Sequence, residues 1–253
     1  MNRSSFPDHF SGVAPDYSRY RPTYPEALYA YLSEMAAGHS LAWDCAAGSG
    51  QATLGLTPWF DRVIATDASA SQIARAPAHP KVEYGVAPAE ASGLPAGDVD
   101  LLIVAQALHW LDLERFYAEA RRVLAPAGLI AVWSYPMQQT GDAAIDKVLS
   151  HFYSDVVGAF WPPERQMVET GYRTVPFPFE ELPARPFEMA AIWSLPQLLG
   201  YVGTWSATTR YRAARGRDPL VDLADALAPV WGRADDPRRV VWPLTPRVGR
   251  LLA

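Results

Sequence analysis

The sequence predicts a doubly wound α/β fold, a parallel sheet wrapped by crossover helices, with a cap built onto it. Three observations predict it. Between residues 41 and 135 short apolar runs alternate with helix-length amphipathic segments, the pattern of repeated strand–helix–strand units. The small-residue turn Asp44-Cys45-Ala46-Ala47-Gly48-Ser49-Gly50-Gln51 stands between the first strand and the first helix of that series. After Tyr135 the character changes, and Pro162, Pro163, Pro176, Pro178, Pro183, Pro186 and Pro196 crowd a stretch that also holds Trp161, Trp193 and Trp205.

Taken in order, a helix is expected over residues 25–37, behind an aromatic and proline segment, 17–24, that Pro22 keeps from being regular throughout. Strands are expected over 41–44, 63–67, 82–86, 99–105 and 129–135, with helices over 51–57, 69–76 and 113–124 between them. The last helix sets Leu113, Phe116, Tyr117, Ala120, Val123 and Leu124 on one face, and Pro126 with Gly128 ends it. The cap is expected to contain a helix over 143–160, a loop-rich passage, a strand over 187–193, helices over 196–215 and 219–231, and a closing strand over 239–242. The chain reads as one domain: residues 1–135 form an N-terminal lid and cofactor-binding core, and residues 136–253 an inserted helical cap plus the last two strands of the same sheet.

The composition excludes several classes of protein. A hydrophobic share of 49%, a charged share of 19% and nine tryptophans describe a well-packed globular chain rather than a disordered one. Cys45 is the only cysteine, which rules out an internal disulfide and a cysteine metal cluster, and no metal is expected. The N-terminus has no apolar stretch of signal-peptide length, and no window approaches the roughly 18 apolar residues of a membrane span, so a cytoplasmic protein without membrane contact is expected. Lys and Arg total 22 against 27 Asp and Glu, and residues 1–135 hold 9 basic and 14 acidic side chains. A nucleic-acid binder needs the opposite balance, so the expected partner is a small molecule. No feature of the sequence sets an oligomeric state.

The turn at residues 44–51 lets a ligand lie against bare backbone, because Ala46, Gly48 and Gly50 bring little or no side chain to it. Asp67 stands at the end of the next strand, where a carboxylate accepts hydrogen bonds from both hydroxyls of a ribose. Together these indicate an adenosine-type cofactor. Charge then selects among such cofactors: Asp44 at the strand mouth would repel a pyrophosphate, whereas S-adenosylmethionine brings an ammonium and a sulfonium. The third glycine of the dinucleotide fingerprint is also missing, which disfavours a nicotinamide oxidoreductase. His109 and Trp110 follow the fourth strand, at the edge where ligands gather in open α/β sheets. The histidine could act as a general base or pack on the cofactor, and the indole could wall an acceptor site.

The loop 44–51 resembles the first motif of the class I S-adenosylmethionine-dependent methyltransferases, and Asp67 matches their second-strand acid. Gly85-Val86-Ala87-Pro88-Ala89-Glu90 followed by Leu94-Pro95 resembles their adenine-contacting turn, while residues 105–110 and 122–132 resemble their fourth and fifth strands. Tyr20-Arg21-Pro22 with Tyr24-Pro25, and Thr204-Trp205-Ser206-Ala207, are similar to a subgroup of the type 11 family that includes trans-aconitate methyltransferase.

The resemblance implies a Rossmann-like, seven-stranded sheet whose last strand runs antiparallel. It implies Asp44, Ala46, Gly48 and Gly50 around the methionine part of S-adenosylmethionine, Asp67 on the ribose, Ala68 along the adenine, Ala89 and Glu90 near its amine, and Gln106 and Ala107 under the sulfonium. Ala46 departs from the glycine usual in the family. Tyr17, Tyr20 and Arg21 are expected to close over the cofactor, and Trp110, Tyr201, Trp205 and Arg210 to line the acceptor site, with Arg210 or Arg212 neutralising a carboxylate. The expected activity is methyl transfer to a small molecule, an oxygen of a small acid; the alternative is a non-catalytic sensor of S-adenosylmethionine. The Asn or Asp with two prolines that nucleobase-amine methylation requires is absent after the fourth strand, where Gln106, Ala107 and Leu108 stand instead.

Overall fold

The fold is that of a computed structural model, which describes residues 22–251. Its strands are β1 (Leu41–Cys45), β2 (Arg62–Asp67), β3 (Val82–Val86), β4 (Val99–Ala105), β5 (Leu124–Trp133), β6 (Glu180–Leu182), β7 (Phe187–Trp193), β8 (Arg238–Leu244) and β9 (Arg247–Arg250). Seven form one sheet in the order β3-β2-β1-β4-β5-β9-β6. Neighbours from β3 to β5 pair in parallel, and β9 runs antiparallel to both β5 and β6. This is the doubly wound, mostly parallel sheet expected from the sequence. Chain order reverses between β1 and β4, so their carboxyl ends flank the crevice where such sheets hold ligands.

Strand periodicity explains why both faces are filled. In β4, Leu101 and Ile103 enter one core while Leu102 and Val104 enter the other; in β5, Leu129, Ala131 and Trp133 alternate in the same way with Ile130 and Val132. Successive side chains point to opposite faces, so a continuous apolar run is what a strand covered on both sides requires. The first face is covered by α1 (Glu26–Met35), through Leu28, Tyr29 and Leu32, and by the cap. The second is covered by α4 (Leu113–Val123), through Phe116, Tyr117, Ala120 and Val123, and Asp112 caps that helix by accepting the Arg115 N–H.

Two helices of the core are shorter than the sequence suggests. Residues 49–52 are taken up by the turn, leaving α2 as Thr53–Leu56, and α3 is Ala70–Ile73 with Ser69 as its N-cap. α1 packs tightly on α2: a β-carbon at Gly55 would lie 2.1 Å from the Tyr29 ring. The fifth strand is longer than expected at its start. It runs from Leu124 through Pro126, with Ala127 in the left-handed region and Gly128 so near the β4 edge that a β-carbon would stand 2.9 Å from the Val99 carbonyl oxygen.

The cap corrects the expected strand assignment. β7 and β8, at the two strands expected after residue 136, pair antiparallel with each other in a separate two-stranded sheet. The last two strands of the main sheet are instead β6 and β9, of three and four residues. Gly249 in β9 leaves space for Phe177 and Phe179, whose atoms would lie 2.6–2.7 Å from a β-carbon there. Between β5 and β9 the cap holds α5 (Ala143–His151), α6 (Arg165–Glu169), α7 (Leu195–Gly203), α8 (Ser206–Arg215) and α9 (Leu220–Trp231). The expected helix over 143–160 keeps α-geometry only to His151 and then loosens into a π turn and a 3₁₀ turn. Among the described residues no helix is long and apolar enough to cross a membrane.

Candidate functional site

A cavity of about 420 Å³ opens at the carboxyl ends of β1, β2 and β4. The loop after β1 forms its floor. Ala46, Gly48 and Gly50 adopt φ of 56°, 58° and 82°, left-handed angles that glycine reaches freely and alanine only at a cost. The loop is tied to the neighbouring strand twice: Ala47 N–H donates to the Thr66 carbonyl at 3.0 Å, and Gly48 N–H to Asp67 Oδ2 at 2.8 Å. The other Asp67 oxygen accepts the Ser69 N–H at 2.8 Å, so backbone donors on both sides fix the carboxylate.

The strain at Ala46 gives a stability prediction. A left-handed conformation costs an L-residue about 1–2 kcal/mol, and glycine's extra unfolded-state freedom offsets about 0.5–1 kcal/mol of the relief. Ala46→Gly is therefore expected to raise Tm by roughly 1–4 °C. A lower Tm by calorimetry would show that the Ala46 methyl makes a packing contact worth more than the strain.

Asp44 lies beneath this loop and is 0% exposed. Thr53 Oγ1 donates to its Oδ2 at 2.6 Å, while Oδ1 is buried with no partner among the described residues. Burial pushes its pKa up to about 7; the Thr53 hydrogen bond opposes the shift and the charge of Asp67 adds to it. Ala68, Ala89, Glu90, Gln106, Ala107 and Trp110 stand along the cavity walls, whereas Gly50 is buried and does not line the cavity. Glu90 Oε1 accepts the Asp112 N–H at 3.0 Å, which pins the acid to the approach of α4. Among the described residues, Asp67, Glu90 and Asp112 against Arg115 make the lining acidic, suited to a cationic ligand rather than a pyrophosphate.

Gln106, at the end of β4, also has a left-handed backbone, φ 56°. Its N–H donates to the Trp133 carbonyl at 2.8 Å and its Oε1 accepts the Tyr135 N–H at 2.9 Å, so the residue is clamped between two strand ends. Strained residues held this firmly cluster at functional sites. Gln106, Trp110 and Tyr135 form the wall shared with a second, smaller cavity of about 80 Å³ that reaches into the cap. His109, Tyr201 and Trp205 line it, joined by Trp161 and Arg165, two residues that sequence reasoning did not assign.

His109 shares a 2.8 Å hydrogen bond between Nδ1 and the hydroxyl of buried Tyr172, and its ring rests on Trp110 with centroids 4.6 Å apart. Burial, reinforced by the charge of Arg165, lowers its pKa to about 3, so the imidazole is neutral at physiological pH. The cap arginines fall elsewhere than expected. Arg210 lines neither cavity. Arg212 is committed to Asp218 through bonds of 2.9 and 3.0 Å and to the Gly203 carbonyl at 3.1 Å. The reason is helical geometry: Tyr211 points into the core, and its two sequence neighbours are carried off to either side. Tyr20 and Arg21 lie outside the described residues.

Residues 43–132 match the methyltransferase domain family, a span that runs from β1 to β5. Over 241 residues the chain is 32% identical to a methyltransferase-designated protein of Dictyostelium discoideum, covering 94% of this chain and 92% of that one. A Saccharomyces cerevisiae protein designated an S-adenosylmethionine-dependent methyltransferase shares 32% identity over 47% of this chain and 44% of its own length. The solved structure of an Anaeromyxobacter dehalogenans protein described as a type II methyltransferase superposes with a TM-score of 0.87 at 48% identity, covering 92% of this chain and 99% of that one. The glycine loop, the second-strand acid and the match over nearly the full length lead to one assignment: the chain belongs to the S-adenosylmethionine-dependent methyltransferases.

Proposed function

We propose that the larger cavity holds S-adenosylmethionine and that its methyl group passes to an oxygen of a small acid seated in the smaller one. The observation that carries this reading is the change of charge across the shared wall. Among the described residues the lining of the larger cavity is acidic, whereas that of the smaller has no carboxylate and one arginine. A cationic cofactor belongs on the first side and an anionic acceptor on the second.

The loop of Ala46, Gly48 and Gly50 takes the methionine part, with the buried Asp44 below compensating its ammonium. Asp67 takes the ribose, Ala68 the adenine face, and Ala89 with Glu90 the exocyclic amine. Gln106 and Ala107 lie under the sulfonium, next to Trp110, whose ring face attracts a cation. When bound, the cofactor supplies an activated methyl electrophile; what remains for the protein is to align the acceptor with it and exclude water. Gln106 and Tyr135, fixed by their mutual hydrogen bond, form the passage between the two cavities.

A carboxylate is already a nucleophilic anion and needs no base. The low pKa of His109 agrees with that economy, since a base is most effective with a pKa near the working pH. His109 then serves to wall the acceptor site. His109→Gln is expected to keep kcat within about tenfold of the unsubstituted enzyme, because no proton transfer is lost. A fall of several orders of magnitude with cofactor binding intact would instead point to a hydroxyl or amine acceptor. The direct test incubates the protein with isotopically methyl-labelled S-adenosylmethionine and a metabolite extract. Labelled methyl esters are the expected product; label recovered only in amines would overturn the ester reading, and no transfer despite tight cofactor binding would favour a sensor.

A further inference from the structure

The smaller cavity holds a cation set among aromatic rings, Arg165, whose one carboxylate neighbour among the described residues, Glu169, approaches only its Nε edge. Arg165 has only 16% of its side chain exposed. Its Nε donates to the Tyr153 hydroxyl at 2.7 Å, and that hydroxyl donates in turn to Glu169 Oε1 at 2.5 Å. Glu169 itself stands 3.9 Å from Nε and is 47% exposed, so it reaches the guanidinium chiefly through the tyrosine. The guanidinium lies over the Trp161 ring at 4.6 Å and near that of Tyr153 at 5.4 Å. Trp161 in turn packs on Trp205 with centroids 5.6 Å apart. The two terminal nitrogens carry no hydrogen bond among the described residues. A guanidinium so far removed from water, with one edge fixed and the other unmatched, has the planar donor pair that a carboxylate engages in bidentate fashion.

We propose that Arg165 is the residue that recognises the acceptor, binding its carboxylate while Trp161 and Trp205 enclose a flat, apolar body. The inference rests on the reading of the smaller cavity as the acceptor site. Three observations favour this ligand over a neutral or cationic one. Among the described residues Arg165 is the only charged side chain in the lining at neutral pH, because His109 is neutral. The charge of Arg165 is felt at both His109 and Tyr172, which places its field across the cavity rather than out in solvent. Among the described residues no carboxylate lines the cavity to receive a cationic acceptor, and the unmatched N–H groups would be left unsatisfied by a purely apolar one. The arginine acts in recognition, so its loss raises the acceptor KM and changes kcat little.

The test uses the full chain saturated with S-adenosylhomocysteine and follows benzoate and its neutral isostere benzamide by calorimetry. Benzoate is expected to bind at millimolar concentrations at least tenfold more tightly than benzamide. Arg165→Gln should remove that preference by weakening benzoate at least tenfold and leaving benzamide unchanged, with Arg165→Lys between the two. Equal binding of benzoate and benzamide to the unsubstituted protein overturns the proposal without recourse to any variant. So does tighter binding of benzylammonium, or undiminished benzoate binding in Arg165→Gln. Melting temperature and S-adenosylhomocysteine affinity of each variant check that the fold is retained. The two readings fail separately: loss of S-adenosylhomocysteine binding, or absence of ester products, tells against the reaction, whereas the benzoate preference tells on Arg165.

Discussion

Replacing Asp67 with alanine is expected to weaken S-adenosylmethionine binding at least tenfold. The carboxylate sits at the end of β2 with Gly48 N–H on one oxygen and Ser69 N–H on the other, both at 2.8 Å. Under the proposed assignment it also accepts the two ribose hydroxyls, and hydrogen bonds to a charged group are each worth about 1.5–3 kcal/mol. Loss of even one such bond amounts to about a factor of ten or more in Kd. The variant also releases the Gly48 N–H and so loosens the loop proposed to face the methionine part. Asp67→Asn should fare nearly as badly, because an amide has one accepting oxygen where the carboxylate has two, and its NH2 would confront a backbone donor. Titration calorimetry decides the matter, with melting temperature as the control for folding. Unchanged affinity in either variant would mean that the end of β2 is not where the ribose lies.

The parallel core was legible because its constraints are local. β3 and β4 coincide with the spans expected from the sequence, and β1 and β2 differ by one residue, since an apolar run bounded by small or polar residues marks a buried strand. β6 and β9 were not legible for the opposite reason. They are short, they carry Glu180, Glu181, Arg247 and Arg250, and their place is set by backbone pairing and by the Arg247–Glu181 ion pair at 2.9 Å. Neither strand has the alternation that marks one in sequence. β7 and β8 do have it and are legible as strands, although the sheet they form is not.

The same distinction runs through the candidate site. The loop after β1 could be read because its backbone angles demand small residues, and the demand is written into consecutive positions. Ala46 is the informative exception, holding a left-handed angle without being glycine. Arg165 left no such mark. Trp161 is near it in sequence, but the rest of its neighbourhood comes from β4's end and the start of α8, far away along the chain, and only the tertiary path brings His109 and Trp205 around it. Arg210 and Arg212 looked better placed in sequence, beside Tyr211 and close to Trp205, yet the turn of α8 carries both away from the cavity. The proposed acceptor side of the site is therefore a property of packing, whereas the proposed cofactor side is a property of the chain.

Cofactor affinity is expected to depend on pH through Asp44. Its carboxyl is wholly buried, and burial pushes its pKa up to about 7 from an ordinary 3.8. In the ligand-free protein the unfolded carboxyl ionises near 3.8 while the folded one keeps its proton to about 7. Between those values folding takes up a proton, so this group's contribution makes stability fall as pH rises, by on the order of 4 kcal/mol in all. Under the proposed assignment an ammonium bound above Asp44 reverses the preference, because it favours the charged form and drives the proton off. Affinity for S-adenosylmethionine should accordingly rise with pH, steeply below about 7 and little above it, with the span from pH 5 to 7.5 worth up to roughly a hundredfold. The cofactor's own carboxylate and ammonium keep their charges over most of that window, so the change belongs to the protein. Calorimetry in two buffers of different ionisation enthalpy should register the release of close to one proton at pH 6 and far less at pH 7.5. Asp44→Asn should bind weakly at every pH and release none. A pH-independent Kd, or proton release that survives in Asp44→Asn, would show that the buried carboxylate is not coupled to the cofactor and that its role is confined to holding Thr53.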